Sequence, residues 1–262
     1  VAQRALPYDE VNTEYILFLD DDVYLPKDSV EKMYEYLAVN KADVISPDVF
    51  PNAERSVSGK LMMMISGRML ARKDDGKWGY KVMRNAGYSY NSNPKVGVYW
   101  SQTNAGPCFF CSKEKFLKIR FEEETWMDSL QYAQGDDQVM FYKMYLMGLK
   151  QLTWFYSGVK HLDAGTSVHS LEKEKTLIYS DFRFKIIFWH RFIYSQEVST
   201  LYRLWDILSI IYALGFGLFI SLIKGRLDML TIKSNAICDG VNFIKSKEYR
   251  SIPHINDTFR NV

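Results

Sequence analysis

The sequence predicts an α/β protein with a mixed, mainly parallel sheet, flanking helices and a C-terminal helical region. A short apolar run, Tyr15–Leu19, leads directly into three aspartates and then Pro26, as in a strand buried on both faces of a sheet. A helical pattern and a second short apolar run follow, which completes a βαβ unit. Residues 207–223 form an uncharged apolar stretch in the later part of the chain.

The composition is typical of one large folded domain, or of one domain with an appendage. The chain has 262 residues, of which 47% are hydrophobic and 15% aromatic, enough for a sizeable core. Its net charge of +2 gives no overall field that would attract nucleic acid. The three cysteines suit a reducing compartment. Cys108 and Cys111 lack the further ligands of a zinc site, so buried thiols are expected.

The first helix is expected from about Lys27 to Asn40, where apolar side chains recur at helical spacing, and the next strand from Ala42 to Pro47. Lys60–Met69 is expected to be a helix whose methionines fill gaps in the core, although contact with lipid or a partner is an alternative. Residues 72–93 are expected to form an irregular insertion over the front of the sheet.

Three more strands and two helices are expected before residue 160. The strands are placed at residues 96–100, 108–112 and 152–156. One helix begins at Lys113, and another covers Gln138–Leu146, where Gly148 provides a stop signal.

The region after residue 170 is expected to be helical. Leu171–Ile193 mixes aromatic and basic residues, which favours contact with the headgroups of an anionic membrane leaflet. The uncharged run at 207–223 is slightly short for a span, which needs about 20 residues. A tilted span, a helical hairpin at the interface and a buried soluble helix are the three interpretations.

Carboxylates and a histidine mark three loops at the ends of predicted elements. Alternate residues of an extended segment point the same way, so Asp20 and Asp22 can converge. Asp137 stands at a helix start, and His161 follows the last strand. Adjacent carboxylates repel one another, and a divalent cation would offset that repulsion. The simple alternative is that the acidic loops cap helices and the histidine is structural.

In this order the motifs resemble those of inverting glycosyltransferases of family 2, which have the Rossmann-like GT-A fold. The resemblance rests on Phe18–Asp22 with Pro26 as a DxD segment, Gly106–Ser112 as the strand before the acceptor helix, Gly135–Asp137 as a GDD motif, and His161 with Gly165 and Ser167 as a late His motif. It covers about residues 1–195. Residues 1–170 are expected to be the GT-A catalytic domain without its N-terminal part, and the composition of 171–262 favours membrane-associated helices.

The resemblance also implies a role for each matched residue. Mn²⁺ or Mg²⁺ would be held by Asp20, Asp22 and His161, and Asp137 would be the general base. Substrate contacts are expected from Asp21, Gly106, Trp126, Gly135 and Asp136. The substrates would be a nucleotide-sugar donor and a glycan or lipid-linked glycan acceptor in cell-surface polysaccharide synthesis. The protein would work at the cytoplasmic face of the membrane, without nucleic acid.

Two features of the family are missing. Its nucleotide-binding βαβ unit normally precedes the DxD strand, which this chain reaches within 15 residues, so weak donor binding by this chain is expected. The Q-x-x-R-W signature of processive members is also missing; His190–Phe192 has a loosely similar place, which favours the addition of a single sugar.

Two other functions remain as alternatives. A metal-dependent nucleotidyl- or phosphotransferase would need a glycine-rich phosphate loop or a basic pair near Asp20, and neither is visible. A membrane-associated scaffold without catalysis would use the acidic loops only as helix caps.

Overall fold

The computed structural model describes residues 8, 10–49, 57–131, 135–162 and 170–255 of the chain. Within these ranges it has nine strands and eight α-helices, numbered β1 to β9 and α1 to α8 along the chain. Gly165 and Ser167 of the predicted histidine motif lie outside the described residues.

The strands form one large sheet and one small ladder. They are β1 Tyr15–Leu19, β2 Val23–Tyr24, β3 Val44–Pro47, β4 Trp78–Val82, β5 Tyr88–Tyr90, β6 Gly97–Ser101, β7 Cys108–Ser112, β8 Gln151–Phe155 and β9 Lys160–His161. The seven-stranded sheet has the order β1-β7-β3-β8-β6-β4-β5, and β2 pairs with β9 separately.

The sheet is mixed, which confirms the predicted α/β class. The pairs β3/β8 and β4/β6 are parallel. The other four neighbouring pairs are antiparallel, so the parallel share is smaller than the sequence predicts. The reason is that β7 runs antiparallel to β3, and β6 runs antiparallel to β8.

In the sheet formed by the described residues, strand β1 lies at an edge. Its side chains are half-buried, and Leu19 is 46% exposed, so the expectation of a strand buried on both faces is wrong. Aromatic rings of β7 cover it: Phe18 stacks on Phe109 with ring centroids 4.3 Å apart, and Tyr15 stacks on Phe110 at 5.2 Å. These contacts fix the register in which β1 delivers its aspartates.

Residues 57–101 build the opposite edge of the sheet. The predicted irregular insertion contains β4 and β5, which extend the sheet beyond β6. The helix before them is α2, Val57–Ile65, in which Met63 is buried. Met62 and Met64 are 42% and 60% exposed, so the prediction that the methionines fill the core is wrong for these two.

The other predicted helices of the first part are confirmed as α1 (Ser29–Asn40), α3 (Lys113–Lys118) and α4 (Asp136–Leu146). Helix α4 ends in a Schellman arrangement, in which the Leu149 N–H donates to the Met144 carbonyl at 3.0 Å. Gly148 there has a φ of 84°, a left-handed conformation that suits glycine. Cys108 and Cys111 are buried free thiols, as predicted.

Four helices follow residue 170: α5 Leu171–Trp189, α6 Thr200–Ile223, α7 Leu227–Lys245 and α8 Lys247–Ser251, with a π-helical turn His190–Tyr194 after α5. The large side chains of α5 and of this turn are mostly buried, including Phe184, Phe188 and Phe192. Their predicted contact with lipid headgroups is therefore wrong. They share one hydrophobic cluster with Phe109 of β7, so the parts before and after residue 170 have a common core.

A buried ion network joins α4 to the π-helical turn. Glu124 is fully buried and accepts hydrogen bonds from Arg191 at 2.7 and 2.8 Å and from the Trp126 indole at 2.8 Å. The Lys143 ammonium lies 2.8 Å from the same carboxylate. Burial raises the pKa of Glu124, but the two cations outweigh burial and lower it to about 2. The carboxylate is therefore ionised and fully paired inside the core.

Candidate active site

Three predicted metal ligands come together at the end of β1. One ligand atom from each of Asp20, Asp22 and His161 lies within 4.8 Å of the others. Asp20 follows β1 directly, and Asp22 precedes β2. His161 is brought there by the β2/β9 ladder, in which it pairs with Val23. The Leu162 N–H closes the arrangement by donating to the Asp22 carbonyl at 2.8 Å.

The chemistry of this cluster fits a hard divalent cation. Asp22 Oδ2 lies 2.9 Å from His161 Nε2, and Asp22 Oδ1 is buried without a hydrogen-bond partner in the part of the chain that the structure describes. A buried carboxylate oxygen without a partner is costly unless a ligand satisfies it. Two carboxylates and an imidazole are donors that Mn²⁺ accepts, and carboxylates also suit Mg²⁺.

The loop before β7 connects this cluster to Asp137. The Asp20 N–H donates to the Pro107 carbonyl at 2.9 Å. The adjacent Gly106 N–H donates to Asp137 Oδ2, also at 2.9 Å. Two consecutive loop residues thus form hydrogen bonds with a predicted metal ligand, Asp20, and with the predicted base, Asp137. Asp137 is half-buried in the first turn of α4, where a carboxylate is favoured by the helix dipole.

Cys108 lies next to this loop but is not placed to act as a ligand. It pairs with Leu19 in the β1/β7 register and is fully buried. Burial raises the pKa of its thiol to about 12, and the nearby charge of Asp20 adds to that effect. The thiol therefore stays protonated at neutral pH, and a protonated thiol is a poor nucleophile and metal ligand.

The glycine of the GDD motif has a structural role that its sequence does not reveal. Gly135 has a φ of 82°, and a Cβ atom built there would lie 2.4 Å from the Phe184 ring. A side chain would be both strained and in collision with α5. Glycine thus allows the start of α4, and with it Asp137, to sit directly against Phe184.

We expect Gly135→Ala to destabilise the fold and to displace Asp137. Backbone strain alone should lower the free energy of unfolding by about 1–3 kcal/mol, and the collision should add to it. Gly148→Ala is a matched control, since Gly148 has a φ of 84° with nothing within 4 Å of an added Cβ. Urea denaturation should show the larger loss for Gly135→Ala; equal losses would show that Phe184 does not constrain this position.

The other predicted substrate contacts have different surroundings. Asp136 Oδ1 accepts a hydrogen bond from the Asp137 N–H at 2.8 Å, so it stabilises the first turn of α4. Asp21 is exposed in the turn between β1 and β2 and is not part of the metal-ligand cluster. Gly106 contributes its backbone N–H to the site, and that hydrogen bond goes to Asp137.

Trp126 does not line an open surface, so its predicted contact with a substrate does not match this structure. Its side chain is 1% exposed. The indole N–H donates a hydrogen bond to Glu124, and the ring stacks on that of Phe184 with centroids 6.1 Å apart. Phe184 in turn packs under Gly135. Trp126 therefore supports the start of α4 from within the core.

Sequence reasoning did not find Phe184 or the Gly106–Asp137 hydrogen bond. The only local signal was the glycine directly before Asp136, which is compatible with a left-handed helix start. Its partner Phe184 is far along the chain, within an aromatic run in which no residue stands out.

The fold and the site agree with the class of protein that the resemblance implies. A mixed α/β sheet with a carboxylate cluster at the end of one strand and a further carboxylate at a helix start is consistent with the GT-A fold. A family model described as glycosyl transferase family 2 matches residues 4–97. The predicted resemblance to this family is confirmed over residues 4–97, which supports a glycosyltransferase, and the family implies a nucleotide-sugar donor and an acceptor.

The matched segment contains Asp20 and Asp22, while Asp137 and His161 lie beyond it. A search among curated proteins found no match for this chain. The roles of the residues beyond the matched segment therefore depend on the geometry described above.

Proposed function

We propose that this chain is a metal-dependent, inverting glycosyltransferase that moves one sugar from a nucleotide-sugar to a hydroxyl of a glycan or lipid-linked glycan, in cell-surface polysaccharide synthesis. The observation that carries the proposal is the convergence of two sets of groups on one loop. Pro107 holds the backbone of Asp20, and Gly106 holds the carboxylate of Asp137. The candidate metal ligands and the candidate base are thus attached to the same loop.

In the proposed reaction, Asp22 and His161 hold Mn²⁺ or Mg²⁺, and Asp20 completes the protein ligands. When bound, the cation would neutralise charge on the diphosphate leaving group. Asp22 Oδ1 supports this assignment, because it is buried without a hydrogen-bond partner among the described residues and the cation would satisfy it.

Asp137 is assigned as the general base. It takes the proton from the acceptor hydroxyl while that oxygen forms a bond to the anomeric carbon and the bond from this carbon to the diphosphate oxygen breaks. One displacement of this kind inverts the configuration of the carbon. The hydrogen bond from Gly106 orients the carboxylate at 2.9 Å, so the base is held in place before the acceptor arrives.

Addition of a single sugar is supported by the surroundings of Arg191. The resemblance places His190–Phe192 loosely where processive members have their signature, and here Arg191 is 5% exposed and paired with Glu124. Its guanidinium is occupied within the core and is not presented to a growing polymer.

The proposal is tested with a panel of nucleotide-sugars and a lipid extract, using the protein as its gene encodes it. We expect release of nucleoside diphosphate from one donor, dependent on Mn²⁺ or Mg²⁺ and lost in Asp22→Asn. Glu31→Gln is a control, because Glu31 is an exposed carboxylate in the first turn of α1. A folded protein that releases diphosphate from no donor would contradict the proposal and favour the scaffold.

Metal binding can be measured without turnover. We expect Asp22→Asn and His161→Ala each to weaken Mn²⁺ binding at least about tenfold, since loss of even an outer-shell partner costs 10–100-fold. Titration followed by electron paramagnetic resonance, with nucleoside diphosphate present, gives the affinity directly. Unchanged affinity in both variants would show that the cluster is an ordinary Asp–His hydrogen-bonded pair.

A further inference from the structure

The outward side of α6 is apolar along its whole length. Large hydrophobic side chains that are each at least half exposed lie there in two groups: Leu201, Leu204, Trp205, Leu208, Ile211 and Tyr212 in the first half, and Phe219, Leu222 and Ile223 near the end. The mean hydropathy of the most apolar part of the helix is 2.1, and 22% of that part is buried. The buried-helix interpretation of residues 207–223 is therefore not supported.

The inward side of the same helix carries buried polar groups as well as the buried apolar residues Ile210 and Leu214. Asp206 is fully buried and lies 2.6 Å from Arg84, and Ser221 is 4% exposed. From α7, the Lys233 ammonium donates to Ser221 Oγ at 2.8 Å and to the Gly217 carbonyl at 2.9 Å. A surface helix of a water-soluble protein presents polar residues on its outward side, whereas the outward side of α6 is apolar.

Helix α2 continues this apolar surface. Leu61, Met62, Met64 and Ile65 are between 42% and 60% exposed. The Tyr212 hydroxyl of α6 donates to the Ile65 carbonyl at 2.9 Å, so the two helices touch. We call the exposed residues of both helices the α2–α6 face. An apolar surface of this extent marks an interaction site.

We propose that the α2–α6 face docks on the surface of an anionic lipid bilayer, with α6 lying in the membrane plane. Charge complementarity selects lipid: exposed Lys60, Arg203 and Lys224 stand beside the face, and the single acidic residue of α6, Asp206, points inward. Trp205 and Tyr212 are side chains that favour the boundary between headgroups and acyl chains.

The attachment of α6 to the protein explains why it lies on the membrane and does not cross it. A spanning helix would have to carry the Lys233 ammonium, which donates to Ser221 and Gly217 within the apolar run, into the hydrocarbon, or give up these contacts. The first change would place a charge in a medium that cannot solvate it, and the second would leave a half-buried ammonium without these partners. Docking in the plane keeps these contacts and immerses the apolar side alone. It does not require the transfer reaction, so a chain that bound vesicles but transferred no sugar would still support it.

The test is flotation of the full chain with vesicles of phosphatidylglycerol and phosphatidylcholine, compared with phosphatidylcholine alone. We expect most of the protein to float with the anionic vesicles and less with the neutral ones. The double variant Leu208→Glu/Ile211→Glu should lose most of the binding. Val39→Glu is the matched control, because Val39 is 80% exposed on α1, outside the face, and should bind like the wild type.

Two outcomes would overturn the proposal. One is a folded wild-type protein, checked by circular dichroism, that floats with neither kind of vesicle. The other is a stable dimer in light scattering that the double Glu variant converts to monomer without any vesicle binding, which would assign the face to a second copy of the chain.

Orientation is tested by cysteine labelling in a Cys238→Ser background, since Cys238 is the exposed thiol. Val198→Cys places a thiol just before the start of α6, and Lys224→Cys places one just after its end. A reagent that cannot cross the bilayer should label both positions on vesicles when α6 lies in the plane. Labelling of one position alone, with the other reacting only after the vesicles are dissolved, would show a spanning helix and contradict in-plane docking.

Discussion

Asp137→Asn is expected to lower kcat by about 10²–10⁴-fold, the usual contribution of a positioned general base. Asparagine has nearly the same shape, and its side-chain oxygen can still accept the hydrogen bond that Gly106 gives to Asp137 Oδ2 at 2.9 Å. The start of α4 should therefore keep its geometry, while the ability to accept a proton is lost. Donor-dependent diphosphate release with saturating acceptor measures the effect.

The control for this variant is Asp228→Asn. Asp228 also lies in the first turn of a helix, α7, so both changes remove one carboxylate from a helix start. We expect the control to retain activity and both proteins to unfold at similar urea concentrations. Mn²⁺ binding should also be unchanged in Asp137→Asn. Full turnover in Asp137→Asn would show that another group takes the proton.

Local sequence patterns predicted those parts of the site that are formed by residues close together in the sequence. The apolar run before Asp20 predicted a strand that ends in carboxylates, and the spacing of Asp20 and Asp22 predicted that they converge. The same patterns could not place β1 within the sheet. Its one neighbour in the described sheet is Cys108–Ser112, far along the chain, and a short apolar run does not identify its partner.

The aromatic and basic residues around position 190 show a second limit. A mixture of phenylalanine and arginine fits a membrane surface or a core in which the charge is neutralised. Glu124 decides between these alternatives, because it is buried in the core and pairs there with Arg191. Composition cannot show such a distant partner. For α6, likewise, an uncharged apolar run was predicted at 207–223, whereas the helix covers Thr200–Ile223, and only packing showed that an apolar side faces outward.

Arg191→Met is the substitution with the largest expected effect on stability. It removes the bidentate partner of Glu124, with bonds of 2.7 and 2.8 Å, and leaves a buried carboxylate with Lys143 as its remaining cation. Removing one partner of a buried ion pair costs about 3–5 kcal/mol. We expect a loss of that size in the free energy of unfolding at neutral pH, measured by urea denaturation.

Arg226→Met is the matched control for burial. Arg226 also forms a two-pronged ion pair, with Glu174 at 2.8 and 3.2 Å, but both side chains are well exposed, at 38% and 41%. Solvent screens such pairs, so the control should change stability little. If the two arginine variants lost the same stability, burial of the Glu124 network would not be the source of its contribution.

The same network predicts how stability changes with pH. The pKa of Glu124 is lowered from 4.5 to about 2 in the folded chain, so the unfolded state binds a proton at a higher pH than the folded state does. The stabilisation is fully present above about pH 4.5 and is lost as the pH falls toward 2. Glu124→Gln cannot be ionised and should therefore lose less stability than the wild type over this interval. A wild-type profile that falls no more steeply there than that of Glu124→Gln would show that the carboxylate is not held ionised by Arg191 and Lys143.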